Sequence, residues 1–221
     1  MFRTGSALNY FEDQDGKLLY KSASLWLSYS GTMQSSLYIQ GWRDREAYNR
    51  REFDLTYFLM EGSFWPTSNL QLYALTIYGD QVDYANTRLG NRLRIMPQLS
   101  YNLGKHLRFS LNHNYERMTA QDARLYTANI SQLSAIYQFN VRTFFRALIQ
   151  YVDYDYNPSN YLFDIDSRNK RILTQLLFSY KINPRTVLFI GYSDNYLGSQ
   201  DFGLTQFDRT FFVKLGYAWV L

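Results

Sequence analysis

The stretch RLRIMPQLSYNL, residues 92–103, decides how this chain is read. Its odd positions are Leu93, Ile95, Pro97, Leu99, Tyr101 and Leu103, and its even positions are Arg92, Arg94, Met96, Gln98, Ser100 and Asn102. Successive side chains of a strand point to opposite faces, so this alternation describes a strand with one apolar and one wet face. The pattern recurs in Leu107, Phe109 and Leu111 opposite Arg108, Ser110 and Asn112, and in Leu133, Ala135, Tyr137 and Phe139 opposite Gln132, Ser134 and Gln138. Ile172, Leu176, Phe178 and Tyr180 stand opposite Arg171, Gln175, Ser179 and Lys181 in the same way. Residues 69–83 and 143–154 carry apolar side chains on both faces, which leaves their register open.

Tight-turn signals fall at Ser30-Gly31, Pro66-Thr67-Ser68-Asn69, Leu103-Gly104-Lys105, Asn140-Val141-Arg142 and Asn183-Pro184-Arg185, roughly every 37 residues. Between them lie more polar connections at 44–50, 84–90, 119–123, 157–168 and 198–205. Each unit is therefore strand, longer loop, strand, short turn. With a first hairpin from Phe2 to Tyr29 around Glu12-Asp13-Gln14-Asp15-Gly16, the count reaches about twelve strands, with both termini at the short-turn end. Short turns on one side and longer loops on the other are the asymmetry of an antiparallel transmembrane β-barrel, whose short turns are periplasmic and longer loops extracellular. The whole chain, 1–221, is expected to be one such domain. Pro97 removes a ladder donor and requires a bulge or a locally unpaired position.

Composition agrees. Tyr (21) and Phe (16) are abundant against four Pro and twelve Gly. Mean hydropathy is −0.37, and no apolar run approaches the roughly 18 residues of a membrane helix. A barrel exposes only alternate residues to lipid and passes unnoticed in such a measure. Rings near the strand ends, among them Trp26, Tyr101, Tyr137 and Phe178 at one level and Trp42, Tyr78, Tyr154 and Tyr192 at the other, are expected to form two interfacial belts. With no cysteine there is neither a disulfide framework nor a thiolate metal site. The 23 basic and 19 acidic residues are interspersed, so no nucleic-acid stripe is present. Residues 1–6 do not form a signal peptide; the expectation is that the chain is the C-terminal part of something longer.

The chain ends Lys214-Leu215-Gly216-Tyr217-Ala218-Trp219-Val220-Leu221. Lys214, Gly216, Trp219 and Leu221 resemble the C-terminal assembly signal of outer-membrane barrels, and an exposed edge strand there suits pairing with the barrel-assembly machinery. Residues 183–195, NPRTVLFIGYSDN, followed by 209–215, RTFFVKL, resemble the end of a family of poorly characterised outer-membrane proteins. In that family a periplasmic module similar to family-nine carbohydrate-binding domains precedes a C-terminal barrel. The resemblance covers about the last forty residues and implies a Gram-negative outer membrane. The implied partners are bilayer lipid, lipopolysaccharide and a periplasmic domain or partner chain. The module itself is absent here, and the twelve strands are open to being part of a larger barrel.

No constellation for catalysis stands out. His106 adjoins a short turn, and His113 shares the parity of Leu107, Phe109 and Leu111 with no serine near it on its own strand. Asp153, Asp155, Asp164 and Asp166 surround one connection and read as solvated loop acids, and residues 12–16 as an Asp-Gly hairpin loop. No catalytic residue, metal site or cofactor is assigned. The inward parity carries Arg92, Arg94, Arg108, Glu116, Arg146, Arg171, Lys181 and Lys214, with Glu52 and Asp54. Such charges either line a pore with an anionic preference or pair across a narrow lumen and plug it. The expected function is a membrane anchor or passive channel; the alternatives are an outer-membrane hydrolase of lipid or surface polymer, and a structural fragment of a larger barrel.

Overall fold

The computed structural model describes residues 1–16 and 18–219. It contains β1 (Phe2–Glu12), β2 (Leu18–Ser30), β3 (Ser36–Tyr48), β4 (Arg51–Thr67), β5 (Leu70–Asp83) and β6 (Arg88–Leu103). There follow β7 (Leu107–Ala120), β8 (Ala123–Asn140), β9 (Thr143–Tyr156), β10 (Arg168–Asn183), β11 (Thr186–Gly198) and β12 (Thr205–Tyr217). All twelve pair antiparallel with their chain neighbours in one sheet, in the order β1 to β12. The connections at Ser68-Asn69, 104–106, 141–142 and 184–185 are the expected short turns. At the other end the asymmetry rests mainly on 157–167 and 199–204, because two of the expected longer loops are two-residue turns. Asn49-Arg50 and Gln121-Asp122 all take positive φ, between 48° and 63°, which matches the twist of a hairpin although neither turn contains glycine.

The pairing fixes the tilt of the strands. From Phe2 the register runs through Tyr29, Leu37, Gly62, Ala74, Pro97, His113, Ser131, Tyr151, Ile172 and Tyr196 to Gln206. Phe2 opens β1 at the short-turn end, whereas Gln206 lies eleven residues from Tyr217, where β12 reaches that end. The stagger is thus about one residue per strand step. With about 3.3 Å per residue and 4.8 Å between strands, it corresponds to a tilt of about 35°, the inclination of strands in a barrel wall.

Register also sorts the side chains. One face carries Leu25, Leu27, Ile39, Phe58, Met60, Leu99, Leu111, Leu133, Ile149, Ile190, Val213 and Leu215 in continuous rows, with β5 contributing Leu72 and Tyr78 and β9 Phe145 and Tyr151. Many of these are open to solvent, Leu25 at 71% and Val213 at 60%. An apolar surface of this extent is stable only against hydrocarbon, and the fold is that of a transmembrane β-barrel wall. Beyond the band, toward the long-loop end, the same face turns polar with Lys21, Arg43, Arg45, Asp54, Arg117 and Asp153. Glu52 and Asp54, expected on the inward parity, belong here: Arg45 Nε lies 2.7 Å from Asp54 Oδ1, and β3–β4 pairing puts all three on the face of Met60. Trp26, Trp42 and Tyr154 depart from the belt expectation and occupy the opposite, polar face, where Trp42 stacks on Tyr57 at 4.9 Å.

Two irregularities have local causes. On the β7 side, pairing lapses between Ile95 and Gln98 without a change of register, which accommodates the missing donor of Pro97. Between β4 and β5, pairing stops at Tyr57 and Gly79. Gly79 has φ +137°, and a Cβ there would sit 2.4 Å from the Thr56 carbonyl oxygen. Above it the strands part. The Thr56 N–H donates to Asp80 Oδ2 at 2.8 Å instead of to a ladder partner, and Phe53, Leu55 and Val82 fill the gap.

Among the described residues, β1 pairs only with β2 and β12 only with β11. Met1 exchanges hydrogen bonds with Ser30 at 2.7 and 2.9 Å, so Phe2, Thr4, Ser6, Leu8 and Tyr10 turn their backbone groups to the free edge. On β12 the Ala218 N–H reaches Arg185 at 2.9 Å, which leaves Phe211, Val213, Leu215 and Tyr217 facing the seam. Of the assembly-signal residues, Lys214 and Gly216 lie in β12, Trp219 follows it, and Leu221 lies outside the described residues. Gly79→Ala is expected to lower stability by about 1–3 kcal/mol, from left-handed strain and the clash with Thr56. Urea unfolding in detergent micelles measures it; Gly104→Ala, at φ +64° but with nothing within 4 Å of the added Cβ, should lose less, and an equal loss would show that the Thr56 clash adds nothing.

Candidate functional site

Three features of the wall hold polar chemistry. The first is the charged polar face. Register places Arg92, Arg94, Arg108, Glu116, Arg146, Arg171, Lys181 and Lys214 together on it, opposite the apolar rows. Only Arg94 and Glu116 of this set pair, with Nε to Oε2 at 3.5 Å. Asn114 Oδ1 accepts from Arg94 at 3.1 Å, and Tyr126 donates to Glu116 at 2.6 Å. Arg171 reaches Asn195 at 3.5 Å. Arg92, Arg108, Arg146, Arg171, Lys181 and Lys214 have no ion pair among the described residues. Every ion pair present joins neighbouring strands, so these charges do not neutralise one another across the interior.

The second feature is a strap at the long-loop end. The connection 157–167 includes a short 3-10 turn, Pro158–Asn160, and folds back over the ends of β6 to β8. Asn157 N–H donates to the Leu125 carbonyl at 2.8 Å, Asn160 Nδ2 to Arg124 at 2.9 Å, and Leu162 N–H to Asn86 Oδ1 at 3.0 Å. Arg88 donates to the Asn160 carbonyl oxygen and is held by Asp83 at 2.9 Å. Met118, Ala120 and Leu125 form a small buried cluster under Tyr126 and Tyr161. Burial, with Tyr156 and Asp83 nearby, pushes the Tyr161 hydroxyl up to about 12, so it stays neutral. The sequence marked this segment only as a polar loop; Asp153 and Asp155 serve ion pairs with Lys170, Arg168 and Arg124. Among the described residues no three His, Cys, Asp or Glu side chains converge as metal ligands.

The third lies on the apolar face. His113 Nδ1 is 2.8 Å from Ser131 Oγ, a partner supplied by β8 rather than by its own strand. Single-strand reasoning missed it because only the register reveals that the two residues are opposed. Beside them a groove of about 550 Å³ runs over the small residues Gly62, Ala74 and Pro97, walled by Phe64, Leu72, Leu99 and Leu111. His106, by contrast, sits at the short-turn rim against the Gln138 carbonyl at 2.6 Å.

No family model matches the chain, and no curated protein matches it. One solved structure, titled "NanC porin structure in rhombohedral crystal form", is similar over 99% of each chain at 12% identity and a TM-score of 0.39. A likeness that loose says nothing about this chain's cargo.

Arg88→Ala should free the strap. Limited proteolysis is expected to cut within 158–167 at least several-fold faster than in the wild type, with the strands intact; equal cutting rates would show that the backbone bonds from Asn157 and Leu162 suffice.

Proposed function

We propose that the chain is the wall of an outer-membrane β-barrel that works as a passive channel and membrane anchor, with a preference for anions. The observation that carries this reading is the run of unpaired cations on the polar face of β6 to β12. Six basic side chains there lack an ion pair among the described residues, and Glu116, the acid of that set, is engaged by Arg94; Asp44, Glu46 and Glu61 lie on the same face of β3 and β4. Cations held on a wall whose other side faces lipid favour anionic permeants. Conduction requires that β1 and β12 find partners, either each other or further strands. Stepwise conductance in a planar bilayer tests the proposal: reversal potentials should favour anions, and Arg94→Glu with Arg108→Glu should reduce or invert that preference. A protein that inserts yet gives no steps leaves the anchor role alone.

A second reading, hydrolysis of a lipid ester, is favoured by the His113–Ser131 pair at 2.8 Å on the apolar face beside a chain-sized groove. Polar groups in contact with lipid are costly and tend to serve function. His113 would take the Ser131 proton as the hydroxyl attacks the ester carbonyl, pass it to the departing alcohol as the ester C–O bond breaks, and then draw a proton from the water that cleaves the acyl-serine and frees the fatty acid. Release of fatty acid from phospholipid micelles, lost in both His113→Ala and Ser131→Ala, is its expected signature; activity that survives both changes removes it.

A further inference from the structure

Three acids of the described wall are fully buried, and one differs from the others. Asp83 lies 2.9 Å from Arg88 and Asp194 lies 3.3 Å from Arg209. Asp44, 3% exposed, has no ion pair among the described residues. Its Oδ2 accepts from Tyr20 at 2.8 Å and from Tyr57 at 2.6 Å, while its Oδ1 is buried without a partner. An uncompensated buried carboxylate is among the costliest groups a protein can hold. A cation at the open oxygen would complete what the two tyrosine hydroxyls begin.

Asp44 faces a pocket of about 200 Å³ on the polar side of β2 to β5, where β4 and β5 part above Gly79. Glu46, Asp80 and Arg92 also line it, with the rings of Tyr20, Tyr57 and Tyr84. Three acids against one base make it electronegative, in contrast to the cationic face beyond. Glu46 Oε1 accepts from Tyr84 at 2.9 Å and Asp80 Oδ2 from the Thr56 N–H, and of the three acids only Asp44 holds a buried oxygen without a partner. A metal ion needs several oxygens, and no such cluster is present among the described residues. A buried acceptor without a partner, a negative surround and aromatic faces suit a cation that donates hydrogen bonds and tolerates rings.

We infer that this pocket binds a small organic cation bearing a primary ammonium or guanidinium group, which donates to Asp44 Oδ1. The site does not depend on whether the barrel conducts.

Titration calorimetry of the detergent-solubilised chain with putrescine as probe tests this. Saturable binding is expected, weakened about tenfold or more by Asp44→Asn, since a charge-assisted hydrogen bond is lost, and by less in Glu46→Gln. Asp54→Asn, on the opposite face, should change nothing. Asp44→Asn should unfold at the same temperature as the wild type or higher without probe, because it removes a buried charge. Absence of saturable binding, equal affinity in Asp44→Asn, or displacement of putrescine by Mg²⁺ at equal concentration would each overturn the assignment. If Asp44→Asn does not fold, unchanged affinity in Glu46→Gln does so instead.

Discussion

Everything in this molecule follows from the demand that backbone N–H and C=O groups be satisfied where no water reaches them. In hydrocarbon each unpaired group costs several kcal/mol, and a strand cannot satisfy itself as a helix does. Twelve strands, each bonded to its chain neighbours, meet the demand over most of the wall, and the two edges are its largest exception. There, alternate residues of β1 and β12 still present their groups outward, Leu8 and Val213 among them. A bilayer does not tolerate such a rim, so the seam between β1 and β12 is the point at which this wall must join itself or something else.

The same demand explains the repairs inside the sheet. Pro97 brings no donor, and the ladder lapses beside it without slipping register. A slip of one residue there would have turned Leu99 and Tyr101 to the polar side. Where β4 and β5 part above Gly79, the Asp80 carboxylate stands in for a backbone acceptor, and three apolar side chains close the gap. Both repairs preserve the sorting of faces, and with it the contrast between a lipid-facing band and a charged interior.

Period-two patterning made much of this legible beforehand. Strand count, neighbour order, the apolar rows of β6, β7, β8 and β10, and the common face of the eight charged residues all follow from the alternation of side chains and the spacing of turns. Pairs formed between strands were not legible. The His113–Ser131 contact and the isolation of Asp44 depend on register, which alternation within one strand does not supply. Glu52 and Asp54 were misplaced for a related reason: β3 and β4 continue past residue 44 to a tight turn at Asn49-Arg50, which lacks the glycine that would announce it. The strap at 157–167 was equally hidden, because its hold on Arg124 and Asn86 is made through backbone groups.

Trp26 and Trp42 lie on the polar face, not in the lipid belts. Half of the chain's four tryptophans therefore look into the space the wall encloses. Their emission is a built-in gauge of hydration: iodide in the bathing solution would dim them when the enclosure is wet, and brominated acyl chains would leave them bright.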